Sequence, residues 1–521
     1  MRSLVLLAAL AMPALAAPPE PAVEIRLKSV NDLLEPLAYL GGLVGQEEQA
    51  KQGVAFVRAL AGERGIFGID PKRPVGGYAL ATPNVVDSPV LLMVPIKNEE
   101  AFLSLLKDQL KIVPKKGDDG IYEVQVPKVE PPVYFRFAND YAYATIRDKK
   151  SLADAMLIDP KTFFAKDDSI MSVALMLDRI PADVRKTIIG QVELQIGLEK
   201  ERKAPNDTAT QHKLKGVLLD GVASAFAALV TDGQSTAAKL AIDPAKDQLG
   251  LTLTTTPKAG SPLATSFAAV GARKAIAPLA AKAKDPVLAM SVNGGLSEEF
   301  LRRLTPIIDE LVKEAPNDGF SNRLLEILAP TLRAGTAELG VAIGGPDGDG
   351  HYQFLSAARL KDGSALEKFA KELGPQLPGE APRFDIEKVG AGSLHAAKLP
   401  MPEVQEKFGD VQLWVVTSDD LAVVGIAPDA ARVKAVGTAT AEMSDLFRAE
   451  IAVAAATFLF ETKLTPGKVK ELVNDVFERQ PTVGKDTIRM SVTGGSTLAI
   501  AASAKGKAIK MLVALDAAKK Q

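Results

Sequence analysis

One stretch of this chain occurs twice, and this internal repeat restricts the possible folds more than any other feature. The first copy, residues 74–147, begins PVGGYALATPNVVDSPVLLMVP and ends VYFRFANDYAYATIR. The second copy, residues 337–432, has diverged but keeps the same order of apolar segments. In both copies the alternation of apolar residues predicts two strands, then a capped amphipathic helix, then further strands that end in a tight turn. The chain should therefore contain two related pieces of mixed helix and strand structure.

A shorter pattern, a strand followed by a helix cap and a helix, starts near residues 23, 171, 286 and 449. Chance alternation would explain any one of these, but their matching order favours true repeats. We predict an α+β fold of four pseudo-repeated βα(α)ββ units in the order long, short, long, short, with antiparallel or mixed sheets packed on amphipathic helices. The predicted units are residues 23–165, 166–275, 276–440 and 441–521.

Local patterns also predict individual elements. The predicted strands include Val23–Ser29 and Tyr141–Ile146, the predicted helix caps are Ser29 or Asn31 and Asn98, and the predicted hairpin turn is Asn139-Asp140. Residues 201–213 are polar and predict an exposed loop. Residues 249–253 alternate leucine with glycine or threonine, which predicts a strand whose leucines lie on a buried face. The apolar run that ends at residue 460 predicts a strand, and residues 507–515 predict the last strand of the chain.

The first 16 residues, MRSLVLLAALAMPALA, have the three parts of a secretory signal. Arg2 supplies the positive start, residues 4–15 the apolar middle, and Ala14-Leu15-Ala16 the small-residue cleavage pattern. The apolar part is too short to cross a bilayer, which takes about 20 residues. We therefore expect cleavage after Ala16, a proline-rich spacer at residues 17–22, and export of the mature chain to the periplasm or the extracellular space.

Composition argues against several classes of site. The chain has no cysteine, which excludes a lipid-modified cysteine, disulfides, thiolate catalysis and cysteine-ligated metals. A net charge of −2, with both signs scattered, provides no footprint for nucleic acid. The longest later apolar run, residues 451–460, is about half the length of a membrane span. We therefore expect no transmembrane anchor after the signal is removed.

The three histidines, His212, His351 and His395, show no metal-binding spacing such as H-x-x-x-H or H-E-x-x-H. The patterns around them predict a polar loop, a turn and a strand, respectively. One catalytic imidazole stays possible, but a structural or surface role is favoured for each because no other chemically reactive residues accompany them.

The segment GGPDGDG, residues 344–350, resembles a calcium loop through Asp347 and Asp349. It lacks the third Asp or Asn two residues on, where His351 stands, and it lacks a final bidentate Glu. Asp-Gly is the preferred link of a tight hairpin, so we predict a turn between two strands and assign no metal.

Ser104-Leu-Leu-Lys107 matches the S-x-x-K motif of penicillin-recognising enzymes. Its companions are imperfect: Ser418-Asp-Asp420 lacks the amide of S-D-N, and no lysine precedes Thr493-Gly-Gly495. Ser104 also lies in the middle of a predicted packing helix, whereas the enzymes place this serine at the start of a helix. The motif therefore favours helix packing over catalysis.

Acidic pairs such as Glu298-Glu299 fall in loops or first helical turns, where solvent and the helix dipole explain them. Ser364-Ala-Leu-Glu367 predicts a capping box at the start of a helix. Enzymes that use only two carboxylates need no local spacing, so this class stays open. Carbohydrate sites usually offer stacking aromatics, however, and the chain has one tryptophan, Trp414, with 5% aromatic residues.

The segments GIDPKRPVGGYA, LLMVPIKNEEAFLSLL and VYFRFANDYAYATIRD resemble a family of exported proteins of unknown function from planctomycete-like bacteria, built from repeated strand–helix–hairpin units. The resemblance covers most of residues 23–160 and, more faintly, residues 286–436. It implies an exported α+β repeat protein and transfers no catalytic residue.

Our leading hypothesis is an exported, non-enzymatic envelope or periplasmic protein with a binding or structural role. The alternative is a carrier of lipid or another apolar ligand in a cleft between helices and curved sheets. A second alternative is a carboxylate-based hydrolase, which would need convergent Asp and Glu side chains in a cleft. We assign no catalytic, cofactor-binding or metal residues. The expected partner is another envelope protein or an apolar ligand.

Overall fold

The computed structural model describes residues 20–60, 66–84, 87–125, 131–146, 148–165, 169–203, 207–283, 285–314, 320–376, 380–460, 463–479, 482 and 484–520. The predicted signal, residues 1–16, lies outside them. The chain forms two compact units. The N-terminal unit contains the residues up to Arg185 and Ser235–Pro244, and the C-terminal unit contains Lys186–Gln234 and Ala245–Gln521. Both combine helices with antiparallel sheet, so the predicted α+β class is confirmed.

The N-terminal unit is one antiparallel sheet with short helices. Its strands are β1 (Val23–Ser29), β2 (Pro74–Ala79), β3 (Val90–Pro95), β4 (Lys115–Lys116), β5 (Tyr122–Val124), β6 (Val133–Ala138), β7 (Tyr141–Ile146), β8 (Met171–Met176) and β9 (Gly233–Asp243). Its helices are α1 (Val30–Leu43), α2 (Glu47–Leu60), α3 (Glu99–Ser104) and α4 (Pro160–Phe163). The strands pair in the order β9-β8-β1-β2-β3-β7-β6-β5-β4.

Local sequence signals set the ends of these elements. The Ser29 side chain accepts a hydrogen bond from the Asp32 N–H and caps α1, and Asn98 caps α3 in the same way. Asn139 and Asp140 both have positive φ, as the tight turn between β6 and β7 requires. The strand at Val23–Ser29, both caps and this turn are therefore confirmed.

The packed core of the N-terminal unit lies on one face of its sheet. Tyr78, Leu91, Met93, Tyr141 and Tyr143 all point to that face and are buried. The segment that follows β7 covers them, and its Leu152, Ile158 and Phe163 complete the cluster. The Tyr143 hydroxyl donates a hydrogen bond of 2.7 Å to the Ile158 carbonyl, so the covering segment is held by polar as well as apolar contacts.

The C-terminal unit has a larger antiparallel sheet. Its strands are β10 (Gln248–Pro257), β11 (Lys274–Ala275), β12 (Leu288–Gly295), β13 (Thr336–Gly344), β14 (Gln353–Arg359), β15 (Arg383–Val389), β16 (Gly392–Lys398), β17 (Gln412–Thr417), β18 (Leu421–Ala427), β19 (Glu442–Met443), β20 (Phe447–Ala452), β21 (Thr487–Thr493) and β22 (Leu498–Lys505). The main sheet has the order β10-β22-β21-β20-β12-β13-β14-β18-β17-β16-β15, and β11 pairs with β19.

The helices of this unit complete its core. They are α5 (Ala182–Glu201, whose first four residues belong to the N-terminal unit), α6 (Ala209–Asp232), α7 (Pro262–Gly271), α8 (Glu298–Glu314), α9 (Phe320–Arg333), α10 (Gly363–Leu373), α11 (Pro402–Phe408), α12 (Ala431–Gly437), α13 (Val453–Phe460), α14 (Pro466–Phe477) and α15 (Gly506–Lys520). The main core cluster joins Leu355 and Val423 of the sheet to Val433 of α12 and to Ala277 and Ala280, which lie in a short 3-10 turn.

Two apolar segments that were predicted as strands are helices. The run before residue 460 splits after Ala452, and its second half is α13. Its start is held by Asp486, whose carboxylate accepts a hydrogen bond of 2.6 Å from the Ala454 N–H. Residues 507–515 lie in α15, where Ala508, Met511 and Leu515 form a buried stripe at helical spacing. Periodicity separates the two states poorly in such apolar runs.

The predicted loop at residues 201–213 is wrong in its second half, because α6 begins at Ala209. Thr208 and Gln211 form a full capping box, a signal that the polar composition of this segment obscured. Helix α6 is long enough and apolar enough to be a candidate membrane span, and length and composition are the only grounds for this. No other helix among the described residues is both as long and as apolar as a span requires. Asp220 interrupts the apolar residues of α6, so this helix contains no long uninterrupted apolar run in the sequence.

Candidate functional site

The serine-lysine motif is an ordinary helical surface. Ser104 and Lys107 are both exposed, at the junction of α3 with a single π-helical turn, Leu105–Gln109. Ser418 is part of a turn, where its hydroxyl accepts a hydrogen bond from the Leu421 N–H. Thr493 is the last residue of β21. Each of the three therefore has a structural explanation in its own surroundings.

The glycine-rich segment joins β13 to β14 as predicted. One carboxylate oxygen of Asp347 accepts hydrogen bonds from the backbone N–H groups of Asp349 and His351, at 3.0 and 2.9 Å. The hydrogen bond from the His351 N–H is the main reason that the pKa of Asp347 lies below its usual value. Asp347, Asp349 and His351 are close enough to hold an ion, but the Asp347 carboxylate already organises the turn.

The three histidines lie in different surroundings. His212 lies in α6 rather than in the predicted loop. His351 adjoins the turn before β14, with its ring against Gly409. His395 lies in β16, which confirms the strand, and only 6% of its surface is exposed.

His395 belongs to a polar network that sequence reasoning missed. Its Nδ1 accepts a hydrogen bond from the Asp385 N–H, and its Nε2 lies 3.0 Å from Thr417 Oγ1. Thr417 Oγ1 in turn donates to Glu367 Oε2 at 2.9 Å. This arrangement places the proton of the neutral imidazole on Nε2.

Glu367 belongs to the same network and not to the capping box that the sequence predicts. Asp362, rather than Ser364, caps α10, and its side chain accepts a hydrogen bond from the Ala365 N–H. The predicted capping box is therefore wrong, and Glu367 reaches Thr417 instead, 50 residues away in sequence. A local pattern gave no sign of this long-range partner.

Lys371 balances the acidic charge of the network. Its Nζ donates hydrogen bonds to Glu367 at 2.7 Å and to Asp385 at 2.8 Å. Glu367, Asp385 and His395 are close enough to hold a metal ion, but the ammonium group already bridges the two carboxylates. Because His395 and Thr417 are also buried, the arrangement is suited to holding α10 against the sheet rather than to acting on a substrate.

We expect His395 to make stability depend on pH. Burial lowers the pKa of His395, opposed by the carboxylates of Glu367 and Asp385 and aided by Lys371 and Lys388. The unfolded chain takes up this proton near pH 6.5, whereas the folded protein does so only at lower pH. Stability should therefore fall as the pH drops below about 6.5, at most by about 1.4 kcal/mol per pH unit.

The check is urea unfolding of the wild type and of His395→Gln between pH 8 and pH 5. We expect the stability advantage of the wild type over the variant to shrink as the pH falls. A constant difference across this range would contradict the prediction.

The most unusual surface of the N-terminal unit is the sheet face opposite its core, which we call the aliphatic face. Strand register places the following residues on it: Met171, Val173 and Leu175 of β8; Val23, Ile25 and Leu27 of β1; Val75, Gly77 and Ala79 of β2; Val90, Leu92 and Val94 of β3; and Ala142, Ala144 and Ile146 of β7. No charged or hydrogen-bonding side chain is among them.

Much of the aliphatic face is open. Val90 is 54% exposed, Leu92 49% and Ile146 51%. Helix α3 covers one edge of this side of the sheet, where Phe102 packs edge-on against Phe135 and Phe137. The polar groups of the same strands lie on the opposite, packed side. Glu24, for example, is only 8% exposed there. Both faces of this sheet are therefore apolar, one packed and the other largely open, whereas an antiparallel sheet usually has a polar face toward solvent.

The sheet of the C-terminal unit also has an apolar face. One row across it, as placed by strand register, contains Leu251, Ala502, Met490, Ala449, Met290 and Val341. Leu251 is 52% exposed, and Leu253 and Met490 are also exposed. The expectation that the β10 leucines lie on a buried face is therefore wrong for Leu251 and Leu253. Alternation showed that the two faces differ, but not which of them is covered.

The aliphatic face is the strongest candidate for function, because large exposed apolar surfaces usually bind a ligand, a partner or a membrane. No protein-family model, curated protein or solved structure matches this chain.

Proposed function

We propose that this chain is an exported, non-enzymatic binding protein of the bacterial envelope, and that its ligand is a hydrocarbon chain such as the acyl chain of a lipid. The ligand lies on the aliphatic face. The observation that carries this proposal is a sheet that is apolar on both faces, with Val90, Leu92 and Ile146 of the face opposite the core about half exposed. Leaving such a surface in water costs about 25 cal/mol per Å².

The chemistry of the face supports a hydrocarbon ligand. Its side chains are aliphatic or absent, so they offer no hydrogen bond to a sugar, nucleotide or peptide. The backbone groups of β8, β1, β2, β3 and β7 pair with one another, so a peptide cannot bind there by adding a strand. Protein interfaces usually centre on tyrosine, tryptophan and arginine, and none of these lies on the aliphatic face.

The dimensions fit one acyl chain. Five strands about 4.8 Å apart extend over about 19 Å from β8 to β7. The hydrocarbon core of a bilayer is about 30 Å thick for two leaflets, so one acyl chain spans about 15 Å. Gly77 and Ala79 have no side chain or a single methyl group, so the face is lowest where it crosses β2, between Ile25 of β1 and Leu92 of β3. Burying eight methylene groups there would contribute about 6 kcal/mol before the entropy cost of binding.

The experiment uses the mature protein, extracted gently and examined by native mass spectrometry, then titrated with a fluorescent fatty acid after lipid removal. We expect a co-purifying lipid and saturable binding that palmitate displaces. The absence of both would overturn the proposal. Sedimentation at several protein concentrations tests the alternative that a second copy of the chain covers this face. In that case the protein would be a dimer, and its dissociation would restore fatty-acid binding.

We further propose that the chain is a duplication of one long–short pair of units. The N-terminal order β9-β8-β1-β2-β3-β7-β6-β5-β4 matches, position by position, the order β21-β20-β12-β13-β14-β18-β17-β16-β15 of the C-terminal sheet. Pairs of helices follow both β1 and β12, and one helix follows both β3 and β14. Such agreement in connections supports a common origin.

A further inference from the structure

The glycine-rich segment, which the proposed function does not use, forms one wall of a cavity of about 320 Å³ in the C-terminal unit. This volume is at the lower end of the range for small-molecule sites. The cavity is lined by Lys282, Ala283, Gly344, Gly345, Asp347, His351, Gln353 and Arg432. These residues come from the loop after the 3-10 turn at Ala277–Ala281, the link between β13 and β14, and α12.

Arg432 is the distinctive group in this cavity. Burial lowers the pKa of Arg432. Among the described residues, no carboxylate pairs with its guanidinium. Its Nη1 lies 3.7 Å from the position that a Cβ on Gly344 would take, so it is held against the glycine wall. A partly buried cation without a counter-ion is unfavourable unless a ligand supplies the negative charge.

The two other charged side chains of the cavity already have partners. Lys282 forms an ion pair with Glu442. The Asp347 carboxylate accepts two backbone N–H groups and organises the turn. Gln353 is part-buried, and its amide has no hydrogen-bond partner among the described residues. The polar side chains of the cavity that have no hydrogen-bond or ion-pair partner among the described residues are therefore the Arg432 guanidinium, the Gln353 amide and the His351 imidazole.

We propose that this cavity binds a small oxyanion, a phosphate or carboxylate group, through Arg432 and Gln353. A guanidinium matches both groups with two parallel N–H donors, and the amide supplies a further donor. Gly344 carries no side chain where its Cβ would adjoin Arg432, so the ligand can approach the backbone closely there. The segment that resembles a calcium loop is in this proposal the wall of an anion site.

The test is calorimetric titration of the full mature chain with inorganic phosphate, acetate and calcium chloride in separate experiments. Phosphate or acetate should bind saturably, and the one that binds more tightly identifies the group. Arg432→Gln should weaken that binding about tenfold or more, and Gln353→Ala by less. Arg302→Gln is the matched control, because Arg302 is an exposed arginine of α8 outside the cavity. It should bind as the wild type does.

The melting temperature with and without the anion provides a second, independent measurement of binding. The anion should raise the melting temperature of the wild type and of Arg302→Gln, but not that of Arg432→Gln. The proposal is overturned if neither anion binds at tens of millimolar, or if Arg432→Gln and the wild type bind alike. Calcium binding that is lost in Asp347→Asn would also overturn it. Fatty-acid binding should be unchanged in Arg432→Gln, so this result is independent of the proposed function.

Discussion

Replacing Leu92 with glutamate is expected to weaken fatty-acid binding at least 100-fold. Leu92 lies inside the aliphatic face, between Gly77 on β2 and Ala144 on β7. A bound hydrocarbon chain would cover the new carboxylate, which has no partner there. Desolvating such a group costs several kcal/mol, and each 1.4 kcal/mol corresponds to a factor of ten. The folded protein itself should lose little stability, because Leu92 is about half exposed.

The matched control is Val113→Glu, which adds the same charge to the same unit at an exposed position outside the sheet. Titration with the fluorescent fatty acid should separate the two variants, and urea unfolding should show that both are folded. Equal affinity in Leu92→Glu and Val113→Glu would move the binding site away from the aliphatic face.

Replacing Gly340 with alanine is expected to destabilise the C-terminal unit by about 3 kcal/mol. Gly340 lies in β13 where the backbone at Ala277 crosses the sheet, and a Cβ would lie 2.0 Å from the Ala277 carbonyl oxygen. Backbone cannot move aside as a long side chain can, so the 3-10 turn at Ala277–Ala281 must shift. That turn carries Ala277 and Ala280 of the main core cluster, and its shift would open the core.

Gly348→Ala provides the comparison within the same unit. No atom lies within 4 Å of its added Cβ, so the change should alter stability by no more than about 0.5 kcal/mol. Guanidinium unfolding of the two variants measures the difference directly. If Gly340→Ala were as stable as Gly348→Ala, the close crossing at Ala277 would not be an essential part of the core.

Local signals predicted much of the fold. Ser29 and Asn98 cap their helices, Asn139-Asp140 forms its turn, and β1 and β7 have the predicted bounds. These features depend on neighbouring residues, so a single sequence contains the information that they need. Apolar runs are harder to predict: the sequence favours strands for the segments that form α13 and α15. Such a run fits both a buried helix and a buried strand.

The sequence alone does not predict the candidate site, the aliphatic face. In β3, VLLMVP, every residue is apolar, so no alternation distinguishes the packed Leu91 from the open Leu92. Local patterns also do not show that Arg432 lines a cavity or that Glu367 contacts Thr417, because each residue meets these surroundings only after distant strands pair. Motifs consist of residues at short spacings in the sequence, and neither the aliphatic face nor the Arg432 cavity contains such a motif.

The sequence by itself determined the α+β class, the caps at Ser29 and Asn98, the turn at Asn139-Asp140 and the alternation of several strands, because these follow from contacts within a few residues. Only the tertiary structure decided which face of each sheet is covered, that Glu367 meets Thr417 and His395, and that Arg432 faces a cavity. The physical reason is that burial depends on which segments pack together, and strand pairing joins residues that lie far apart along the chain.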